Sequence, residues 1–495
     1  MSKYILALDQ GTTSSRAIIY NTDAQPIATE QKEFKQIFPK PGWVEHNPIE
    51  IWESQLKVAR DVIIKSKIRP ENIAGIGITN QRETTVVWNR ETGQPIYNAI
   101  VWQDRRTSKY CENLKSKNLE ATFSSKTGLV LDSYFSGTKI NWILNNVDGA
   151  KEQAMNGELA FGTIDTWLIW NLTNGKNHIT DASNASRTIC FNIHTMEWDQ
   201  ELLDILEIPR SMLPEVKDSS GKIALATELI YKKIYPITGI AGDQQAALFG
   251  QMCTDTGMAK CTYGTGCFLM MNIGDKPVPS KNKLLTTVGW KINGKTTYAL
   301  EGSVFMGGAT IQWLRDGLKF FKDVAESESL ATSINSTDGV VVVPALTGLG
   351  APHWNPDARG TIVGITRGTT SAHITRAALE SICYQVNDVL STMSKDKGSN
   401  IQELRVDGGA TANNFLVQFQ SNISSIDVLR PINHETTALG AAYLAGLGVG
   451  LWQMEELKTK WQIDTKFIPN MTREDADKHN ELWLKAVERS KNWAS

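Results

Sequence analysis

The feature that most constrains the fold of this chain is a strand-turn-strand segment at its beginning that recurs near its middle. The first copy joins the apolar run 4–8 to the apolar run 17–20 through the polar, glycine-containing turn 9–14. The second copy, at 258–270, again places a Gly/Thr turn between two strand-like runs. This pattern predicts two β-hairpins. We therefore expect two related lobes, each built around one hairpin.

Both turns carry groups that bind phosphate. Glycine lets the backbone pass close to a polyanion, and free N–H groups and hydroxyls donate to phosphate oxygens. These residues are Thr12, Thr13, Ser14 and Arg16 in the first copy, and Gly264 and Thr265 in the second. Asp9, at the end of the first strand, is a candidate Mg²⁺ ligand, because that ion prefers oxygen and keeps several waters. We expect the two turns to hold one nucleotide between them.

A third Gly-rich segment, 405–414, joins a short strand to a helix that we predict to begin near Asn413. Glycines at the start of a helix suit the adenosine or α-phosphate end of a nucleotide, because backbone N–H groups point toward the ligand there. The ordered set of three segments therefore indicates a nucleotide-binding protein.

The remaining pattern is typical of an α/β fold, in which strands alternate with amphipathic helices. The run 73–78 predicts a buried strand, and apolar residues at helical spacing predict a helix over 50–65. We expect further helices at 370–393 and at 436–446, the latter rich in small residues and suited to close packing.

Length and composition narrow the class of protein. A chain of 495 residues is too long for one core, so we expect two domains, 1–249 and 250–495. Lys plus Arg (51) nearly balances Asp plus Glu (53), which gives no reason to expect nucleic acid or an anionic membrane as a partner. The six cysteines form no CxxC pair, and no apolar run is long enough for a signal peptide or membrane span. These features favour a cytoplasmic protein.

One motif is misleading. Residues 289–296 satisfy the GxxxxGK[ST] pattern of a P-loop, but a true P-loop opens a helix. Here Asn293 and Gly294 form the favoured pair for a tight hairpin turn, between strand-like runs at 286–292 and 296–300. We predict a hairpin and leave Lys295 outside the site.

Longer motifs carry a likeness to known proteins. They lie at 9–16, 77–85, 134–139, 242–247 and 263–268, with two further stretches at 134–146 and 360–380. The chain resembles, through nearly its whole length, the FGGY carbohydrate kinase family and within it the glycerol kinases, in the superfamily of actin, hexokinase and heat-shock ATPases. The resemblance implies an α/β fold of two actin/hexokinase-like (ribonuclease H-like) lobes with a nucleotide cleft between them.

The resemblance also implies an activity and its residues. The activity is transfer of the γ-phosphoryl group of ATP to glycerol, giving sn-glycerol 3-phosphate and ADP, with Mg²⁺. Asp243, at a strand-to-helix turn, is the implied base; a lone Asp in that position is otherwise often an N-cap. The implied hydrogen-bonding partners of glycerol are Arg82, Glu83, Tyr134, Asp243 and Gln244, with Trp102 and Phe268 against its carbon atoms. The implied further nucleotide contacts are Gly308, Gln312, Gly409 and Asn413. The glycerol site would lie mostly in the first lobe, and the adenosine site in the second.

Two other functions stay open. One is a kinase for another small polyol or sugar, although the 80–84 match and Trp102 favour a three-carbon acceptor, because a wider pocket needs smaller walls. The other, of a different class, is an acceptor-independent ATPase of the chaperone or filament type. It would leave Arg82, Glu83 and Asp243 without a joint role.

The resemblance weakens on regulation and assembly. Some bacterial members carry a Gly-Gly-Thr-Arg loop that binds an inhibitory sugar bisphosphate, and others carry a phosphorylated histidine. The corresponding stretch, 221–235, has neither. We therefore expect weak or no inhibition by fructose 1,6-bisphosphate. A homodimer or homotetramer is usual in the family.

Overall fold

The computed structural model of the chain describes residues 3–230 and 233–494. Tyr231 and Lys232, which belong to the stretch 221–235 that lacks both regulatory motifs, lie outside the described residues. The strands are β1 Tyr4–Gln10, β2 Ser14–Tyr20, β3 Pro26–Glu33, β4 Glu45–His46, β5 Ile73–Asn80, β6 Val86–Asn89, β7 Ala99–Ile100, β8 Leu159–Gly162, β9 Ile179–Asp181, β10 Phe191–Asn192, β11 Glu197–Trp198, β12 Glu215–Lys217, β13 Ser220–Ala226, β14 Tyr235–Gly242, β15 Ala259–Tyr263, β16 Cys267–Gly274, β17 Leu285–Ile292, β18 Lys295–Val304, β19 Val341–Val343, β20 Thr361–Val363, β21 Glu403–Asp407, β22 Asp427–Pro431 and β23 Ile463–Phe467.

The helices are α1 Pro48–Ser66, α2 Ser108–Ser116, α3 Glu120–Thr127, α4 Ser136–Asn146, α5 Ala150–Met155, α6 Ile164–Leu172, α7 Ala182–Ala185, α8 Gln200–Ile205, α9 Asp243–Gly250, α10 Gly308–Asp316, α11 Glu326–Thr332, α12 Ser371–Lys397, α13 Asn414–Ser424, α14 Thr436–Gly448, α15 Met454–Lys460 and α16 Arg473–Ser490. Short 3₁₀ helices lie at Pro70–Asn72, Arg210–Met212 and Gly409–Ala412.

A 13-stranded sheet runs through both halves of the described chain. In the first half β1 pairs antiparallel with β2 and parallel with β5. In the second half β15 pairs antiparallel with β16 and parallel with β21. The strand order β3-β2-β1-β5-β14 is thus repeated as β18-β16-β15-β21-β22. The two hairpins are the first and second strands of two equivalent five-stranded units, which is the duplicated architecture that the sequence predicts.

The first unit has its own hydrophobic core. Leu8, Ile76 and Ile240 on its strands pack with Val62 of α1 and Trp167 of α6, and all five are buried. Alternation of buried strands and apolar helix faces is what builds a layered α/β structure. A larger cluster extends through the second unit and its helices.

Helix α14, from the second half, packs on the sheet of the first half, against β1, β5 and β14, and on helix α9. The contact is close because it is made by small residues. A Cβ added to Gly440 would lie 1.8 Å from the carbonyl oxygen of Ala246, and one added to Gly77 would lie 2.2 Å from the carbonyl oxygen of Ala441. The predicted small-residue helix is confirmed, and glycine is required where the backbones meet.

Other local predictions are also confirmed. The helix predicted over 50–65 is α1, which begins after the N-cap Asn47 and ends before Lys67, at φ 57°. The long helix is α12, with Thr370 as its N-cap. The run 73–78 lies within β5.

The P-loop-like segment is a hairpin. Strands β17 and β18 pair antiparallel with Ile292 opposite Lys295, so only Asn293 and Gly294 form the turn. Their φ angles, 51° and 75°, are the positive values that a two-residue turn between twisted strands requires. Lys295 therefore begins a strand, as predicted.

The six cysteines are buried and carry free thiols. Among the helices of the described ranges, none combines the length and apolar character needed to cross a bilayer.

Candidate active site

The first phosphate turn closes between β1 and β2. The N–H of Gly11 donates to the carbonyl oxygen of Ser14 at 2.9 Å, which leaves Thr13 exposed at the tip and Thr12 half-buried beside it. The hydroxyl of Ser14 accepts from the amide of Gln31 at 2.8 Å. The turn therefore presents hydroxyl groups to solvent, as a phosphate-binding turn does.

Asp9 lies opposite Arg16 in the β1–β2 pair, and Arg16 forms an ion pair with Glu435 just before α14. Burial raises the pKa of Asp9 to about 7, more than the charge of Arg16 lowers it, and Glu435 and Asp243 raise it further. A carboxyl group in excess negative charge is stabilised by a divalent cation, so Asp9 fits a Mg²⁺ ligand. In residues 3–230 and 233–494 no group of three or more His, Cys, Asp or Glu could hold a metal by itself. Water and phosphate oxygens would have to complete the coordination.

The second phosphate turn is attached to the start of helix α10. The carbonyl oxygen of Gly264 accepts from the N–H of Gly308 at 2.9 Å, and that of Thr265 accepts from Ala309 at 3.1 Å. Because α10 begins at Gly308, the turn and the N-terminus of this helix are held together. Gln312 is exposed one turn further along the helix.

The third Gly-rich segment lies against the second turn. Gly408 has φ 92°, and a Cβ there would lie 2.5 Å from the carbonyl oxygen of Tyr263, so only glycine fits. A Cβ added to Gly409 would meet no atom within 4 Å. Asn413 is the N-cap of α13, as expected for a helix that begins near this residue, and its Oδ1 accepts from the N–H of Leu416 at 2.9 Å. Gly409 therefore borders open space in which a ligand could lie.

Three predicted aromatic residues form one wall, which we call the aromatic wall: Trp102, Tyr134 and Phe268. The ring centroid of Trp102 lies 5.5 Å from that of Tyr134 and 6.4 Å from that of Phe268, and the interplanar angle is 80° in both pairs. Phe268 lies on β16, whereas the other two residues belong to the first half of the chain. The structure thus brings together residues more than a hundred positions apart.

The predicted Arg82–Glu83 pair is buried next to Asp243. The side chains of Arg82 and Glu83 are 2% and 1% exposed, and Nε of Arg82 lies 3.0 Å from Oδ1 of Asp243. Asp243 is the first residue of α9, with Gly242 in the N-cap position, so it is not the N-cap that a lone Asp there would suggest. Its side chain is 31% exposed. Burial raises the pKa of Asp243 although the Arg82 charge lowers it.

Three buried charged residues complete the site and were missed by the sequence analysis: Arg187, Lys260 and Glu301. Glu301 accepts from both Nη atoms of Arg82, at 2.5 and 3.0 Å, and from Nη2 of Arg187 at 3.1 Å. Nε of Arg187 donates to Oε1 of Glu83 at 2.6 Å. The available signal was a charge next to apolar residues within a predicted strand: Lys260 between Ala259 and Cys261 on β15, and Glu301 after Ala299 and Leu300 on β18. No such signal marks Arg187.

The electrostatics of this cluster define the protonation states of Glu301 and Tyr134. Burial would raise the pKa of Glu301, but the Arg187 and Arg82 charges outweigh it and bring that pKa to about 2, so Glu301 is ionised. Burial and the charge of Glu83 raise the pKa of Tyr134, which keeps its phenol protonated as a donor. Burial lowers the pKa of Lys260.

The arrangement can bind a polar molecule and take a proton from it. A half-buried carboxylate, Asp243, lies beside a fixed guanidinium and near an aromatic wall, which suits a small molecule with both hydroxyls and carbon atoms. In the described ranges no hydrogen bond joins the turn at 12–16 to the turn at 264–265. A ligand that contacts both turns would have to bridge them.

The chain is similar to known proteins along nearly its whole length. The chain matches the FGGY family of carbohydrate kinases, with its N-terminal domain at residues 4–250 and its C-terminal domain at 259–449. A glycerol kinase of Burkholderia ambifaria is 58% identical over 493 residues, covering 99% of both chains. The crystal structure of Plasmodium falciparum glycerol kinase with ADP has a TM-score of 0.94 at 39% identity, over 99% of this chain and 98% of that one.

A ligand-bound xylulose kinase from Lactobacillus acidophilus has a TM-score of 0.88 at 24% identity, over 98% of this chain and 97% of that one, and this likeness shows a shared fold alone. The predicted α/β fold of two actin/hexokinase-like lobes is confirmed. The chain belongs to the FGGY family of carbohydrate kinases.

Proposed function

We propose that this protein transfers the γ-phosphoryl group of ATP to glycerol, giving sn-glycerol 3-phosphate and ADP. The observation that carries the proposal is that the ion pair of Arg82 with Asp243 lies near the aromatic wall, because the Arg82 charge acts on Tyr134. The wall in turn adjoins both phosphate turns, through the hydrogen bond of Trp102 to Thr12 and through Phe268 on the strand after the second turn. The whole-chain similarity to a glycerol kinase at 58% identity supports the same function. So does the likeness to a glycerol kinase structure that contains ADP.

In the proposed acceptor site, polar groups form hydrogen bonds with the substrate and aromatic groups pack against its carbon atoms. Arg82, Glu83, Tyr134, Asp243 and Gln244 would bond the hydroxyls of glycerol, because each is within or beside the buried cluster that faces the half-exposed Asp243. Trp102 and Phe268 would pack against its carbon atoms. A small polyol needs this division, since unpaired buried hydroxyls cost free energy and carbons gain from burial.

Asp243 is the proposed base, and it would take the proton from the attacking hydroxyl of glycerol. Its raised pKa makes the carboxylate a stronger base, while the ion pair with Arg82 opposes protonation. The side chain is the exposed member of an otherwise buried cluster, which leaves one oxygen accessible to the acceptor.

The nucleotide would lie between the two turns. We propose that Thr12, Thr13, Ser14, Arg16 and Thr265 bind its phosphates, Gly264 and Gly308 let it approach, and Gln312, Gly409 and Asn413 contact the adenosine end. Asp9 would hold Mg²⁺, which when bound neutralises charge on the phosphoryl oxygens. The hydrogen bonds from Gly308 to Gly264 and from Ala309 to Thr265 hold the second turn in place for this contact.

Three broader features are also proposed. The chain would form two lobes, 1–249 and 250–495, that close on the substrates and exclude water. It would act in the cytoplasm, which the six free thiols favour. It would assemble as a homodimer or homotetramer.

The competing functions are less well supported. A kinase for a longer sugar would need room where Trp102, Tyr134 and Phe268 close the acceptor site. An acceptor-independent ATPase would have no use for the buried ion pairs that join Arg82, Glu83 and Asp243.

The test is coupled ADP release from purified protein with ATP and Mg²⁺, comparing glycerol with no acceptor and with pentoses, pentuloses and tetritols. We expect turnover that depends on glycerol, with sn-glycerol 3-phosphate identified chemically as the product. Turnover on another polyol would move the acceptor assignment, and hydrolysis without acceptor would support the ATPase alternative.

A further inference from the structure

Two buried charges on strands of the second half hold polar side chains of the first half. Glu301 on β18 binds Arg82, and Lys260 on β15 donates to Oε1 of Gln244. Neither Glu301 nor Lys260 is among the residues proposed above to touch the acceptor. Each forms hydrogen bonds with a residue that is proposed to do so, Arg82 or Gln244.

Glu301 determines which N–H groups of Arg82 remain for a ligand. A guanidinium has five N–H donors in a rigid plane. Glu301 takes one from each Nη atom, at 2.5 and 3.0 Å, and Gln245 accepts another from Nη1 at 3.3 Å. Nε points to Asp243, 3.0 Å away. Within residues 3–230 and 233–494, the second N–H of Nη2 has no acceptor, so one donor is left in a fixed direction.

Lys260 determines the orientation of the amide of Gln244. An ammonium group only donates, so the amide atom that faces it must be the oxygen. The same ammonium also donates to Oγ1 of Thr262 at 2.9 Å, which anchors it on β15. Nε2 of Gln244 then faces away from Lys260, and it has no other hydrogen bond in the part of the chain that the structure describes. Two further donors are therefore held available.

We propose that Glu301 and Lys260 are positioning residues for the acceptor: through Arg82 and Gln244 they fix N–H donors that can pair only with acceptor hydroxyl oxygens. The inference rests on the proposed function and deepens it. It assigns to β15 and β18, in the half of the chain that carries the second phosphate turn, a part in recognising the alcohol. Arg187 supports Glu301 by a third hydrogen bond at 3.1 Å.

A purely structural role for these charges would predict a different result. Losing a structural contact weakens the fold and lowers the affinity for every ligand. Losing a positioned donor weakens only the bond to one hydroxyl, because the rest of the acceptor is still held. The two roles are separated by measuring how much each hydroxyl contributes to binding in wild type and variant.

The experiment is a double-mutant cycle between protein and ligand. Dissociation constants for glycerol, 1,2-propanediol, 1,3-propanediol and ADP would be measured by calorimetry for wild type, Lys260→Met, Glu301→Gln and Glu301→Asp. Lys115→Met and Glu481→Gln, both at exposed positions, are the matched controls. The melting temperature of each variant reports the fold.

We expect wild type to bind at least one diol about tenfold or more weaker than glycerol. In Lys260→Met and Glu301→Gln that ratio should shrink to about threefold or less for the hydroxyl whose donor is lost, with affinity for ADP unchanged. Glu301→Asp keeps the charge, so its ratio of diol to glycerol dissociation constants should lie between those of Glu301→Gln and wild type. The control variants should show the wild-type ratio.

Unchanged hydroxyl ratios, or an equal loss of glycerol and ADP affinity, would overturn the inference. If Glu301→Gln does not fold, Lys260→Met and Glu301→Asp decide the matter by the same ratios. Failure of wild type itself to bind glycerol or to release ADP with it would instead refute the proposed function.

Discussion

The indole N–H of Trp102 donates to Oγ1 of Thr12 at 3.0 Å. Trp102 belongs to the aromatic wall and Thr12 to the first phosphate turn, so one hydrogen bond joins the proposed acceptor and phosphate sites. Because Oγ1 accepts this bond, the hydroxyl hydrogen of Thr12 is left to donate elsewhere. The Thr12 hydroxyl therefore stays available as a donor in the turn that is proposed to bind phosphate.

Trp102→Phe tests this link. Phenylalanine keeps much of the wall but lacks the N–H, so we expect KM to rise several-fold for both glycerol and ATP. Steady-state kinetics with each substrate varied in turn would show it. Trp493→Phe, at an exposed position, is the control. A rise in KM for glycerol alone would show that the bond to Thr12 has no effect on the nucleotide.

Asp243→Asn removes the proposed base without changing its size. We expect kcat to fall by about a thousandfold or more while the dissociation constant of ADP stays within about threefold, since general-base catalysis is worth two to four powers of ten. Coupled ADP release and calorimetry measure the two quantities. Asp316→Asn, at an exposed site, should behave as wild type. Near-normal turnover would point to another carboxylate.

Gly409→Leu tests the open space beside the third Gly-rich segment. An added Cβ there meets no protein atom within 4 Å, so we expect the melting temperature to change by about 1 °C or less. A leucine would instead occupy the space proposed for the nucleotide, and affinity for ADP should fall about tenfold or more. The ADP affinity of Gly409→Ala should lie between those of wild type and Gly409→Leu. Normal ADP affinity in the leucine variant would place the nucleotide elsewhere.

Gly440→Ala tests the contact between α9 and α14. The new methyl group would lie 1.8 Å from the carbonyl oxygen of Ala246, and backbone atoms cannot rotate away as a side chain can. We expect a loss of about 3 kcal/mol in the free energy of unfolding, at the upper end for overpacking. Gly368→Ala, where the nearest atom is 3.8 Å away, is the matched control. Equal melting temperatures for the two variants would contradict the prediction.

His46 should make stability depend on pH. Burial lowers its pKa to about 4, whereas the unfolded chain has the ordinary value. The unfolded state therefore binds the proton more tightly, and stability present above about pH 6.5 is lost as the pH falls toward 4, by about 3 kcal/mol for this group. The melting temperature of His46→Gln should fall less steeply over this range than that of wild type. His194→Gln, at an exposed position, should show the wild-type slope.

Local signals allowed part of this structure to be predicted. The turns at 9–14 and 293–294 and the helices α1 and α12 depend on residues within a few positions of one another. The burial of Arg82 does not depend on such local signals. Its partner Glu301 lies 219 positions away, and the two side chains come into contact only when strands of the two halves lie side by side. Sequence reasoning could place Arg82 beside Glu83, but the ion pairs that bury it depend on the assembled sheet.

Helix α14 affects how the protein folds during its synthesis. The face of β1, β5 and β14 that it covers stays bare on the ribosome until residues 436–448 have been synthesised. The sheet that carries the first phosphate turn therefore cannot complete its packing when only the first half of the chain has been synthesised. A polypeptide released before that helix is made would expose this face of the sheet to solvent, and chaperones or proteases would meet it in that state.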